Sequence, residues 1–140
     1  MLPGTASRSL LVASAIALVA ACSKPSLPGD LVVTAITTGR EVASGGRIKE
    51  DSRTNMFWTT DTFYVAVETS GSAADVTMVA RWTGPEDTEA EASKTLSPKG
   101  PTITTFEAHP PGGRWPAGDY RVEILVNGIS QGTRELNARS

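Results

Sequence analysis

The dipeptide Asn127-Gly128 constrains this chain more than any other feature. Before it, Tyr120, Val122, Ile124 and Val126 alternate with Arg121, Glu123 and Leu125; after it a second extended segment runs from Ile129 to about Leu136. Period-two alternation places the apolar side chains of an extended segment on one face. Asn and Gly accept the two positive φ angles of a type I′ turn, whose twist matches that of paired strands. The segment therefore predicts a β-hairpin with Val122, Ile124 and Val126 inward and Arg121 and Glu123 in water. Gly132 is a candidate bulge. A lone hairpin is marginal in water, so the rest of the chain must cover its apolar face.

Further strand signals recur between Gly/Pro breaks. Leu31–Thr37 is rich in β-branched residues. Thr62–Thr69 sets Phe63, Val65 and Val67 on one face, and Val76–Trp82 does the same with Val76, Met78, Ala80 and Trp82. Thr102–Ala108 is built around Ile103 and Phe106. Thr88–Leu96 contains helix-tolerant residues (Glu89, Ala90, Glu91, Ala92) but reads as a strand among strands. Breaks fall at Gly71–Asp75, Gly84–Asp87, Ser97–Pro101 and His109–Gly118, and residues 38–55 read as a long polar loop with room for one short strand. No stretch after residue 30 carries a 3.6-residue apolar period. The expected fold is all-β, an antiparallel sandwich of about seven strands over residues 31–140. A domain of about 110 residues buries roughly two-thirds of its unfolded surface, enough for one core.

The N-terminal segment has a different character. Residues 1–9 hold one basic residue, Arg8, and no acid, and Leu10–Ala21 is mostly apolar. That run is short of the about 20 residues a spanning helix needs and fits a signal-peptide core. It ends Leu18-Val19-Ala20-Ala21-Cys22, which resembles the bacterial lipobox, an aliphatic residue and two small residues before cysteine. The resemblance implies a signal peptide over residues 1–21, cleavage between Ala21 and Cys22, and lipid on the Cys22 thiol and its freed amine. It also accounts for the chain's one cysteine, which can form no internal disulfide. Two or more acyl chains anchor a protein stably where one does not. Ser23 stands where an Asp often marks inner-membrane retention. This implies the periplasmic face of the outer membrane where the organism has two membranes. Residues 22–30 then carry the lipidated terminus and a Pro/Ser/Gly linker that reaches at most about 25 Å.

Trp115-Pro-Ala-Gly-Asp-Tyr120, with the strand and Asn-Gly turn that follow, resembles the closing segment of bacterial immunoglobulin-like modules. Asp61–Val67 with Val79–Trp82 resembles a hairpin of the same modules, so the likeness covers about residues 57–137. It implies an immunoglobulin-like or fibronectin-like sandwich in which the Tyr120 hydroxyl bonds back to the preceding loop. The inter-sheet disulfide of antibody domains is absent. A fold of this class does not fix a function.

Chemistry-bearing sets are sparse. His109, the one histidine, lies beside Pro110 in a turn, and no Gly-x-Ser-x-Gly context accompanies it. A zinc site needs three or four protein ligands, more than one His and a lipidated Cys lead one to expect. The acidic run Glu86–Glu91 lacks EF-hand spacing. Gly45-Gly46 and Gly112-Gly113 lack the Lys-Ser/Thr of a phosphate loop. The net charge is −2, and removing residues 1–21 takes away only Arg8, leaving −3. That is no footprint for nucleic acid. No catalytic set, metal or cofactor is expected.

Of the three tryptophans, Trp82 continues an apolar face and belongs in the core. Trp115 should cover one end of the sandwich near Tyr120. Trp58, in Met56-Phe57-Trp58, reads first as a core residue and is the best of the three as an exposed aromatic contact. The first functional reading is a non-enzymatic binding or adaptor domain. It is anchored through Cys22, meets an envelope protein, and offers Trp58, Arg47 and Arg53 as its candidate surface. The second is an envelope protease inhibitor whose 38–55 loop presents Arg40, Arg47 and Arg53. A hydrolase has the least support.

Mass spectrometry of the mature N-terminus should find Cys22 as its first residue, carrying lipid. Cys22→Ala should accumulate as uncleaved precursor, or as a soluble form if ordinary signal peptidase cuts it. An unmodified terminus at another residue would sink the lipobox reading.

Overall fold

The computed structural model describes residues 26–140; Ala21, Cys22 and the expected signal peptide lie outside them. The alternating segments form eight strands: β1 (Val32–Gly39), β2 (Met56–Trp58), β3 (Phe63–Ser70), β4 (Val76–Thr83), β5 (Glu89–Leu96), β6 (Thr102–Ala108), β7 (Gly118–Val126) and β8 (Ile129–Arg139). Among the described residues there is no α-helix, only 3-10 turns at Ser44–Gly46, Glu50–Ser52 and Pro111–Gly113. The strands make two sheets, ordered β1-β3-β6 and β2-β8-β7-β4-β5.

Two expectations need correction. There are eight strands rather than about seven, and the larger sheet is mixed. Met56-Phe57-Trp58 pairs parallel to β8, as Met56↔Asn137, Phe57↔Ala138 and Trp58↔Arg139. Three residues are too few to display a period, and pairing direction is set by how the chain arrives. Here it leaves the face of one sheet, crosses to the edge of the other, and buries Phe57 beside Ala138. Nor do β3 and β4 form the hairpin that the likeness to immunoglobulin-like modules implied: β3 lies in the three-stranded sheet and β4 in the five-stranded one. A further correction concerns β6. Ile103 and Phe106 differ by an odd number of positions, so they cannot share a face of a strand; Phe106 is in the core and Ile103 is on the opposite side.

One apolar cluster fills the space between the sheets. Phe63, Val65 and Val67 of β3 and Phe106 of β6 meet Met78, Ala80 and Trp82 of β4 and Val122, Ile124 and Val126 of β7, all buried. Thus the predicted inward face of the closing hairpin is its core face, while Arg121 is exposed and pairs with Glu135. The turn has φ of 49° at Asn127 and 80° at Gly128. The β7–β8 register shifts between Ile124 and Leu125, opposite Gly132.

Four aromatic rings close one end of the core. Phe63 stacks on Trp115 with centroids 4.3 Å apart and planes at 3°. It also meets Phe57 edge-on at 4.8 Å and Tyr120 at 5.3 Å. Such contacts add to simple burial. Each polar tip in this cluster has a partner: Trp115 Nε1 donates to Asp61 O at 2.8 Å, and Tyr120 Oη donates to Pro116 O at 2.5 Å. We call this the aromatic end.

Each seam between the sheets is crossed by one cation. Lys94 occupies the inward row of β5, opposite Met78, and its Nζ donates to Thr105 O on β6 at 2.5 Å. Arg134 occupies the inward row of β8, opposite Val122, and its Nε donates to Ile36 O on β1 at 3.1 Å. β5 is an edge strand, and β8 is an edge at Arg134 because β2 pairs only with residues 137–139; inward-pointing charges on such edges discourage pairing with another chain.

Burial raises the Tyr120 phenol above its ordinary pKa of 10.0; a hydrogen bond with Thr88 opposes the rise and the Glu86 carboxylate adds to it. The unfolded phenol ionises near pH 10 and the folded one only above that. The contribution to stability is therefore complete below about pH 10 and is lost as pH rises through the folded value. In urea unfolding, Tyr120→Phe should cost about 1 kcal/mol at neutral pH, and its stability should fall less steeply than that of the parent above pH 10. Parallel alkaline curves for the two proteins would refute this assignment.

Candidate functional site

The segment between β1 and β2 is folded back on the protein rather than left as a free loop. Gly39↔Arg53 and Val42↔Ile48 form isolated antiparallel bridges. Ala43 N–H donates to Arg47 O at 2.7 Å, Lys49 N–H to Glu41 O at 3.0 Å, and Thr54 N–H to Thr38 O at 3.2 Å. The tip is fastened to β6, where Thr105 Oγ1 donates to Gly46 O. Ile48 is the anchor of this flap. It is only 2% exposed and lies in a crevice on the outer face of the small sheet, among Thr37, Ala66 and Ile103. That explains why Ala66, on an outward row of β3, is only 3% exposed. It also explains Ile103, which faces the flap rather than the core. Gly39 makes the seating possible: a Cβ there would fall 2.2 Å from Ile48 Cγ2.

Asp61 connects flap, edge strand and aromatic end. Its Oδ2 accepts the Trp58 N–H at 2.7 Å and Arg40 Nε at 2.9 Å, and its Oδ1 accepts Arg40 Nη2 at 3.3 Å. Its backbone carbonyl takes the Trp115 indole N–H. Between the flap and β2 lies a groove of about 560 Å³, whose lining includes Arg40, Asp51, Arg53, Met56 and Asp61.

Phe57 points into the core, so Met56 and Trp58 point out, 41% and 51% exposed. Trp58 is therefore a surface aromatic and not part of the core. Arg139 lies beside it in the β2–β8 register, and Arg139 Nη2 reaches Met56 Sδ at 3.7 Å. The free edge of β2 is already occupied by the protein's own side chains. Met56 N–H donates to Thr54 Oγ1 at 3.0 Å, and Trp58 N–H donates to Asp61. A partner cannot add a strand there and must contact side chains.

The expected surface residues divide between two places. Arg47 and Arg53 both line the Ile48 crevice, and Arg47 pairs with Glu68 at 3.6 Å. Arg53 also lines the groove with Met56, two residues from Trp58. Sequence reasoning passed over Met56, Asp61 and Arg139. Met56 shares the period-two face of Trp58 and could have been found from it. Arg139 is brought there by a pairing 81 positions distant in the chain, for which no local signal exists.

The aromatic end is remote from the point where the chain enters the domain. Val32 pairs with Ser70 at one end of β1, and Gly39 pairs with Tyr64 at the other. At about 3.3 Å per residue this strand spans about 26 Å. Asp30 is held at the far end, its Oδ1 accepting the Ser72 N–H at 2.6 Å. His109 is exposed, with Nδ1 3.2 Å from Thr62 Oγ1 and Nε2 3.8 Å from Glu107. Among the described residues, no group of three or more His, Cys, Asp or Glu side chains could hold a metal, and no helix is long and apolar enough to cross a membrane.

If Ile48 holds the flap, Ile48→Ala should cost about 2–5 kcal/mol and expose the flap to trypsin at Arg40, Arg47 and Arg53. Gly39→Ala should do the same by displacing Ile48. Limited digestion with mass mapping reads this directly. Equal rates of flap cleavage in parent and variants would mean that the flap is not docked in solution.

No family model matches the chain, and no curated protein does. Among solved structures, it is similar to a Pseudomonas fluorescens alkylpurine DNA glycosylase, AlkC, bound to DNA containing an abasic site analog. The TM-score is 0.56 at 13% identity, over 80% of this chain and 31% of that one. A Listeria innocua β-glucosidase in complex with gluconolactone matches at TM-score 0.47 and 12% identity, over 79% of this chain and 16% of the enzyme. This chain therefore spans under a third of either protein. At such identity the first likeness is one of fold.

Proposed function

We propose that this protein is a bacterial lipoprotein. Its signal peptide is removed before Cys22, lipid on Cys22 holds it in the cell envelope, and an immunoglobulin-like or fibronectin-like sandwich acts as a non-catalytic binding or adaptor module. The periplasmic face of the outer membrane is the favoured site in a two-membrane organism. The partner is an envelope protein met through the aromatic end.

One observation carries this reading. The exposed pair Met56 and Trp58 lies at the opposite end of β1 from Asp30, where the chain enters. A linker of at most about 25 Å keeps the Asp30 end near the membrane and turns Trp58 toward whatever lies beyond it. The Tyr120–Pro116 hydrogen bond supports the immunoglobulin-like corner. The inhibitor reading gains nothing from the flap. A loop bound in substrate fashion pairs its extended backbone with the enzyme, and here that backbone is bonded internally and fastened by Ile48.

A photoreactive phenylalanine derivative at position 58 of the full-length protein, expressed in its own cells, should give one crosslinked product of defined mass. The same residue at Asn127, at the opposite end, should give none. Equal products from the two positions, or none from either, would overturn the proposal.

A further inference from the structure

Cations that lack an ion-pair partner are not spread evenly over this molecule. Among the described residues, Arg40, Arg47, Lys49, Arg81 and Arg121 each pair with a carboxylate. Lys94 and Arg134 are committed to backbone carbonyls across the seams, and Lys99, whose ammonium also has no carboxylate partner, stands alone at the far end, where its backbone bridges Ser72. The three that remain are Arg53, Arg114 and Arg139, and all three border β2. Arg53 lines the groove with Met56. Arg139 is the register partner of Trp58 and has only the weak contact to Met56 sulfur. Arg114 precedes Trp115, whose N–H donates to Thr59 O at 2.7 Å, one residue past Trp58. Of the carboxylates beside this surface, Asp119 bonds to Asn137, the register partner of Met56, and two of the three that line the groove are taken. Asp61 is held by Arg40, and Glu41 by Lys49. Asp51 is the one groove carboxylate without an ion-pair partner.

We infer that the surface formed by Trp58 and Met56 with Arg53, Arg114 and Arg139 docks an acidic segment of a partner protein. The inference rests on the reading of the aromatic end as the binding end and adds the chemistry of the occupant. Trp, Met and Arg are the residues enriched at protein interfaces, and Trp and Arg dominate their affinity. Guanidinium groups match carboxylates in a two-pronged geometry. The edge of β2 is closed to strand addition, which leaves side-chain recognition. The net charge of −2 opposes a long polyanion, which would lie along much of the domain. A short acidic segment within about one Debye length feels the arginines first. An anionic membrane is disfavoured by position, since the patch is at the end remote from Asp30.

The test uses tryptophan emission from the full-length protein in nonionic detergent. Trp82 and Trp115 are each 1% exposed and Trp58 is 51% exposed, so iodide quenches Trp58 selectively. A glutamate-rich peptide with a central leucine should protect Trp58 from iodide and shift its emission to the blue, saturably. The same peptide with glutamine at every glutamate should not. The effect should weaken as ionic strength rises from about 0.01 to about 0.1 M, where the Debye length falls from about 30 to about 10 Å. The triple variant Arg53→Gln, Arg114→Gln, Arg139→Gln should bind about tenfold more weakly; an unchanged melting curve would show that it still folds. Equal response to both peptides, or none to either, overturns the acidic occupant. So does stronger protection by oligothymidylate or by micelles containing phosphatidylglycerol. A dimer in sedimentation that the triple variant abolishes would assign the patch to a second copy instead. If crosslinking at position 58 succeeds while the peptides are not distinguished, the binding end stands and its acidic occupant falls.

Discussion

Asp61 is the point through which three otherwise separate parts of this protein are joined. Its carboxylate holds the backbone of β2 at Trp58 and the guanidinium of Arg40 at the root of the flap, and its carbonyl holds the indole of Trp115. Taken alone, the exposed ion pair with Arg40 contributes little. The side chain of Asp61 is 19% exposed, however, and its carboxylate accepts donors from β2 and the flap while its backbone carbonyl accepts a third from Trp115. Fixing the Trp58 N–H determines which way β2 faces. Phe57 must then enter the core, where full burial of such a ring is worth about 1.5–3 kcal/mol, and Trp58 must stay outside. The exposure of Trp58 therefore follows from the geometry around Asp61.

The rest of the surface is arranged against casual association. A two-layer β domain has open seams, and each seam here is crossed by a cation whose donor lies across the gap on the other sheet. Lys94 also sits 5.4 Å from the Phe106 ring centroid, so its stem covers apolar surface while its ammonium meets a carbonyl. The outer face of the large sheet carries paired charges, Arg81 with Glu91 and Arg121 with Glu135. Against that background the neighbourhood of β2 differs in concentration: two exposed large apolar side chains and three cations without carboxylate partners lie together there, whereas Val32 and Lys99 are single residues at the other end.

The sequence was most legible where a structural choice is local. Asn127-Gly128 fixes its hairpin because two φ angles and the period of the strand before it agree within ten residues. Tyr120 and Trp115 could be placed near one another because only four residues separate them. Legibility failed where the decision is made by distant partners. The direction of β2 depends on residues 137–139 of β8. The flap looked like a free polar loop because its one anchor, Ile48, is a single apolar residue in a polar stretch, and a single residue has no period. The placing of Ile103 has the same origin: the sequence groups Ile103 with Phe106 as the centre of one strand, but Ile103 is half-covered by the flap on the face opposite the core.

The same limit applies to charge. Composition sums Arg53, Arg114 and Arg139 with every other ionisable group, and the total of −2 conveys nothing about them. What matters for recognition is which charges the fold leaves without a partner, and that is a property of pairing. Arg121 and Arg139 are both exposed arginines on the outer rows of the large sheet, nearly indistinguishable as sequence. Arg121 faces Glu135 across an antiparallel ladder, and its field is largely cancelled at short range. Arg139 faces Trp58 across the one parallel ladder, where no carboxylate is opposite. The three-residue parallel strand thus positions an exposed tryptophan and also leaves the arginine beside it without a partner. An irregularity that the alternating pattern could not announce is what makes this end of the domain chemically distinct from the others.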